Sequence, residues 1–270
     1  MTIIESLSRG KNPTAPSEDA IVATDDYVAV IDGSTSKSIR RLRGDMTNGR
    51  LASTTIATFI EQMPSNLDCE QFCLEVTRHI SQLYTTLGID RQTLLTHAEN
   101  RMTASAIIYS VSKKEIWMVG DCQCLVNGVP YTNEKPTEKA NALRRSALLH
   151  QALEEGHTTI DRLRHDDIGR TAILHDIIQS TRRQNIDFAV IDGYPIAMDY
   201  VRVLFVPVAE EIVLASDGYP KLFNDLASTE AYLEQVIRED PLFISLHPAT
   251  KGVMDGNESN DDRSYIRFMV

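Results

Sequence analysis

SEDAIVATDDYVAVIDGSTSK, residues 17–37, decides how the rest of the chain is read. Two short apolar runs, 20–23 and 27–31, flank the polar Thr24-Asp25-Asp26, which is the pattern of a β-hairpin. Acids stand at both outer ends. A two-residue loop at Asp25-Asp26 sets Asp19 opposite Asp32 in an antiparallel ladder, whereas a three-residue loop sets Glu18 there. In either register two carboxylates face each other. Like charges roughly 5 Å apart repel by about 3 kcal/mol at an effective dielectric of about 20, so the pairing calls for a cation between them. A hard divalent ion is the natural candidate; the alternative is a pair of acids that merely flank a strand and point into water.

The 270 residues, 42% of them hydrophobic, are enough to bury a substantial core, and no run approaches the roughly 20 apolar residues of a membrane span. The N-terminal MTIIESLSRGKN lacks the apolar centre of a signal peptide, so the cytoplasm is the expected address. With 27 basic and 38 acidic residues the formal charge is −11, which disfavours nucleic acid and anionic membrane as partners but would concentrate divalent cations. Cys69/Cys73 and Cys122/Cys124 are spaced for one helix face and one strand face, not for a zinc site or a disulfide framework. None of His79, His97, His150, His157, His165 and His175 has a partner at the i, i+4 spacing of a helical zinc site.

Beyond the hairpin a basic, glycine-punctuated loop carries Arg40, Arg41 and Arg43, which are either a solvated face or guanidinium groups for a phosphate. Helical periodicity follows over 51–63, ended by Pro64, and again from the Asp68/Gln71 capping box to Gly88. Strands are expected at 104–111, 115–119 and 122–126, the last running into an Asn127-Gly128 turn. From about 132 to 184 the pattern is helical, charged and thin in apolar residues, suggesting an insertion or flap within one domain spanning 1–270. Strands return at 186–191, 200–206 and 211–216; Ser228 caps a helix to about Arg238, and a final strand covers 265–270. The run Ile212 to Ala215 delivers Asp217-Gly218 just as residues 29–31 deliver Asp32-Gly33, an apolar strand followed by Asp-Gly.

SEDA at 17–20, IDG at 31–33, VGDCQCLV at 119–126, LASDG at 214–218 and NDDRS at 260–264 occur in that order. This set resembles the protein phosphatase 2C-type family of metal-dependent Ser/Thr phosphatases, over the chain from Ser17 onward. The resemblance implies an α+β fold, a four-layer α-β-β-α sandwich of two antiparallel sheets flanked by helices. It implies a centre of two Mn or Mg ions bridged by Asp32, with Glu18 and the Gly33 carbonyl serving one ion and Asp217 and Asp261 the other. Asp121 and Asp217 match positions that hold a third ion in some bacterial members. A water bridging two such ions ionises near neutral pH and attacks phosphorus in line, without a phosphoenzyme. A phosphorylated protein is the implied substrate, with a non-protein phosphomonoester, or a non-catalytic binding or sensing module, as alternatives.

Three positions depart from the family pattern. Thr14 stands where the family often has an Arg four residues before the motif Glu, so Arg9, Lys11 or the Arg40, Arg41 and Arg43 group becomes the candidate phosphate clamp. Ser34-Thr35-Ser36-Lys37 replaces a glycine pair, and Asp262 replaces an Asn. Metal chemistry is thereby expected to persist while substrate handling differs.

Overall fold

The computed structural model describes residues 1–35 and 37–270; Ser36, one of the residues replacing the glycine pair, lies outside the described residues. The hairpin forms as β2 (Ala20–Ala23) and β3 (Tyr27–Gly33), paired Ala20↔Ile31 through Ala23↔Val28. The Thr24 amide donates to the Tyr27 carbonyl at 2.8 Å, so the loop is the two-residue Asp25-Asp26, and continuing the register sets Asp19 against Asp32.

β3 is the second strand of a five-stranded antiparallel sheet ordered β2-β3-β4-β5-β8, with β4 (Ala104–Ser110), β5 (Glu115–Val119) and β8 (Arg202–Phe205). The second sheet runs β1-β10-β9-β6-β7, from β1 (Thr2–Arg9), β6 (Gln123–Val126), β7 (Val129–Tyr131), β9 (Glu211–Ala215) and β10 (Arg263–Met269). Val28, Val30, Ile107, Tyr109 and Met118 of the first sheet pack against Cys124, Ile212, Leu214, Ile266 and Phe268 of the second. The opposite face of the first sheet, including Ala29, Ile31, Ile108 and Trp117, is covered by α1 (Asn48–Glu61) and α2 (Cys69–Thr86). Strands buried on both faces need no polar alternation, which is why 27–31 is uniformly apolar. On the far side, α7 (Leu226–Glu239) lays Leu233 and Val236 on Val213, Ala215 and Tyr265. The expected α-β-β-α layering is therefore present.

Several local expectations shift. Of the 186–191 run only Phe188 to Ile191 are buried, with Ile186 exposed, and the run forms isolated bridges, Ala104↔Ile191 and Gln184↔Phe188. Asp225, not Ser228, caps α7, its carboxylate accepting from the Ser228 amide. β1 was not anticipated; it pairs with β10 from Thr2↔Met269 to Arg9↔Arg263 and so brings the two ends of the sequence together. A short α3 (Arg91–Thr96) also follows α2.

The 132–184 segment contains α4 (Pro136–Glu154), α5 (Ile160–His165) and α6 (Ile168–Arg182). It is tied down by one buried guanidinium. Arg145 Nε donates to Asp167 Oδ2 at 2.9 Å, and Nη1 donates to the carbonyls of Leu242 at 2.9 Å and Ala249 at 3.0 Å. Asp167 in turn caps α6. At Gly169 in the first turn of α6, a Cβ would stand 2.8 Å from Leu149 Cγ and 2.9 Å from Arg145 Cγ, so glycine permits the close α4–α6 crossing.

Candidate metal centre

The acids singled out in the sequence arrive at one end of the two sheets. Asp32 follows Val28 and Val30 at the strand period of two, hence on the face turned toward the other sheet. Asp121 sits in the turn between β5 and β6, Asp217 just past β9, and Asp261 with Asp262 just before β10. Glu18 and Asp19 precede β2 and are buried. At Gly33 a Cβ would lie 2.4 Å from the carbonyls of Glu18 and Gly49, so the approach of these backbones at the floor requires glycine.

Asp32, Asp121 and Asp217 each present a carboxylate oxygen, and the three oxygens lie within 4.8 Å of one another. Burial, and then the charges of Asp19, Asp121 and Asp261, push the Asp32 carboxyl well above the ordinary carboxylate range. Asp217 is raised in the same sense by loss of hydration and by the charges of Asp32, Asp121 and Asp261, an effect tempered by its exposed position at the mouth of the cluster. Asp121 behaves oppositely: burial opposes ionisation, but Lys135 Nζ at 2.7 Å from Oδ2 and the Ser105 hydroxyl donating to Oδ1 at 2.6 Å hold it low. Asp19 is pushed up to about 8, by burial and by the charges of Asp261, Asp262 and Asp217. Both Asp19 oxygens and Glu18 Oε1 are buried without a hydrogen-bond partner. Crowded, partly orphaned hard-oxygen donors of this kind fit a divalent cation.

Asp261 and Glu18 are engaged by protein cations. Lys11 Nζ lies 2.6 Å from Asp262 Oδ2, 3.3 Å from Asp261 Oδ1, 3.5 Å from Glu18 Oε2 and 3.0 Å from Thr35 Oγ1. Lys251 Nζ approaches the other Asp261 oxygen at 2.6 Å. Burial disfavours the Asp261 carboxylate, yet Lys251 and Lys11 bring its pKa down to about 2. An ion served by Glu18 or Asp261 must therefore displace Lys11 or share these carboxylates with it.

The remaining candidates for the phosphate clamp lie elsewhere. Arg9 is exposed and pairs with Glu258 at 2.8 Å. Arg40 and Arg41 are exposed, and Arg43 pairs with Asp45 at 3.2 Å. A recess of about 130 Å³ beside the acids is instead lined by Lys37, Lys135, Arg170 and Lys251 together with Asp32, Asp121, Asp217 and Asp261. A second, adjoining groove of about 460 Å³ shares Asp121, Lys135, Glu138 and Asp217 and is walled by Pro220, Phe243, Leu246 and His247. Of the lining cations only Lys37 had a pointer in the sequence, as part of the segment replacing the glycine pair. Lys135 and Arg170 lie at the edge of and within the helical segment, and Lys251 in a loop with no local pattern.

No family model matches the chain, and no curated protein matches it significantly in sequence. Among solved structures it is similar to the catalytic domain of the serine/threonine protein phosphatase PstP in complex with two manganese ions, at 13% identity and TM-score 0.47, covering all of both chains. It is similar also to the Mycobacterium tuberculosis serine/threonine phosphatase PstP/Ppp, at 14% identity and TM-score 0.46, over 99% of this chain and 98% of that one. Stp1 from Staphylococcus aureus, a serine/threonine phosphatase, shows 13% identity and TM-score 0.47 over 98% and 94%. At TM-scores below 0.5 these likenesses add nothing to the centre described above, which stands on its own side chains.

Proposed function

We propose that the chain is a metal-dependent phosphomonoester hydrolase of the protein phosphatase 2C type, acting on Ser/Thr phosphoproteins. The observation that carries this is the convergence of Asp32, Asp121 and Asp217 within 4.8 Å, from three separate strand ends, with the charges of Asp19 and Asp261 acting on Asp32 and Glu18 joined to Asp261 through Lys11. On this reading Asp32 would be the shared ligand, with Glu18 and the Gly33 carbonyl available to one ion, Asp217 and Asp261 to another, and Asp121 with Asp217 to a further one. Bound Mn or Mg would acidify a water for attack on phosphorus and offset charge on the phosphoryl oxygens. The protein's own part is to hold the carboxylates together against their repulsion, to keep Asp121 ionised through Lys135 and Ser105, and to receive the phosphoryl group beside them.

The adjoining groove, with its Phe243 and Leu246 wall, suits the residues flanking a phosphorylated side chain. The narrow recess beneath α4 and α6 favours a second reading, a compact non-protein phosphomonoester. Hydrolysis of an aryl phosphate by the purified protein with Mn, with Mg and with chelator tests the hydrolase reading; metal-dependent turnover is expected, and a folded protein inert under all three conditions overturns it. Phosphopeptides set against small phosphometabolites then separate the two substrate classes.

A further inference from the structure

Two cations in the 130 Å³ recess have no carboxylate partner among the described residues. Among the described residues Lys37 Nζ donates to Ser34 Oγ at 2.6 Å and has no carboxylate oxygen within 4.0 Å. Arg170 Nη1 donates to the Thr250 carbonyl at 3.0 Å, leaving most of its five donors uncommitted. Both are half-buried. Their neighbours differ: Lys135 is held to Asp121 at 2.7 Å and Lys251 to Asp261 at 2.6 Å, so these two already serve the acids. Four cations lining one small recess repel one another as the carboxylates do, and burial with the charges of Lys251, Lys135 and Arg170 lowers the Lys37 ammonium to about 8. Glu138, also on the lining, offsets this only in part. An anion with several acceptor oxygens relieves the crowding.

The recess is a built one. The Thr137 and Ser180 hydroxyls meet at 3.0 Å between α4 and α6, and the Asp167 cap with the Arg145 ties fixes the first turn of α6, from which Arg170 projects. Its floor is Asp32, Asp121 and Asp217, where the reacting phosphorus belongs on the hydrolase reading.

We propose that Lys37 and Arg170 together bind the phosphoryl oxygens of the substrate, taking the role left open by Thr14, so that the α4–α6 segment completes the substrate site. The inference rests on the hydrolase reading for its substrate but is testable apart from it. The probe is inorganic phosphate on the Mn-loaded protein, read both as the shift it causes in melting temperature and as its inhibition of aryl phosphate turnover. Lys37→Met and Arg170→Gln are the test variants, Lys37→Arg the conservative partner, and Arg78→Gln on the outside of α2 the control, each checked for folding by circular dichroism. Lys37→Met and Arg170→Gln are each expected to weaken phosphate about tenfold or more and to raise KM with a smaller change in kcat, with Lys37→Arg recovering much of the loss and Arg78→Gln unchanged. A change under twofold in either folded variant, with turnover intact, overturns the assignment while leaving the hydrolase reading in place. A wild type that is stabilised by phosphate and loses this in both variants, yet turns over nothing with any metal, keeps the recess and overturns the hydrolase reading. Should Lys37→Met fail to fold, Lys37→Gln and Arg170→Gln carry the same comparison.

Discussion

Asp32 sits among the charges of Asp19, Asp121, Asp261 and Lys135, and its replacement separates a metal ligand from a strand-end turn residue. Asp32→Asn removes a charge from the shared position, so turnover should fall by orders of magnitude. The same change relieves repulsion with Asp19, Asp121 and Asp261, so in chelator the variant should melt at or above the wild type. With millimolar Mn the order should reverse, because a ligand that binds only the folded state stabilises in proportion to RT ln(1 + [L]/Kd). Wild-type turnover in the variant, or no Mn-dependent stabilisation of the wild type, would return Asp32 to a turn role. Lys11 is the second residue-scale test. It bridges Glu18, Asp261 and Asp262, and its partner Asp262 is the position where the family pattern has an Asn. The Lys11 ammonium meets this Asp262 carboxylate at 2.6 Å, and the pair places a tethered ammonium where cations compete. Lys11→Met should therefore tighten Mn binding about tenfold by calorimetry while lowering stability in chelator; an unchanged Kd would mean that Lys11 already stands clear of the ions.

At the scale of elements, what could be read from the sequence was whatever local pattern dictates. The hairpin over 20–31, the Asp68/Gln71 box of α2 and the Asp-Gly pairs at the end of β3 and just past β9 are all formed, while the choice between the two hairpin registers left open by the sequence is made by the structure. What could not be read depends on neighbours distant in sequence. β1 exposes Ile3 and Ile4 and owes its strand state to β10, some 260 residues away by register. Residues 188–191 are apolar because they are buried, yet they find one bridge to β4, at Ala104↔Ile191. In the centre the acids were legible because each ends an apolar strand, while Lys135, Arg170 and Lys251 were not, since only tertiary placement brings them to the recess. Arg40 and Arg41 carry the right chemistry but lie exposed, away from its lining. The device fixing the recess roof is Arg145, fully buried between α4, Asp167 and the 242–249 loop. Arg145→Ala would strand the Asp167 carboxylate and free two buried carbonyls, a loss of about 3–5 kcal/mol. Urea denaturation should show it, and limited proteolysis should open first within 136–182; a loss under about 1 kcal/mol would mean the segment is held by its apolar contacts instead.

Over the whole molecule, the concentration of carboxylates at one end of the sandwich makes stability depend on pH in a direction opposite to ordinary acid denaturation. Asp19, raised to about 8 from an unfolded value near 3.8, binds its proton more tightly when folded. Its contribution to stability is therefore complete below about pH 4 and is lost progressively as pH rises toward 8; Asp32 and Asp217, raised in the same sense, add to this loss. Asp261, brought down to about 2 by Lys251 and Lys11, contributes with the opposite sign, and its stabilisation fades only as pH falls from about 4 toward 2. The two windows meet near pH 4. In chelator the melting temperature should thus decline between pH 5 and pH 8, whereas saturating Mn, which binds the ionised carboxylates, should flatten or reverse that slope over the same range. Asp19→Asn isolates the cause, since it removes the buried charge while keeping the shape; the chelated variant should be more stable than the wild type at pH 8 and close to it at pH 5. Thermal melts of both proteins across pH 5 to 8, with chelator and with Mn, measure this directly. A chelated wild type whose melting temperature rises with pH would show that the carboxylates at this end of the sheets are not crowded enough to need a cation.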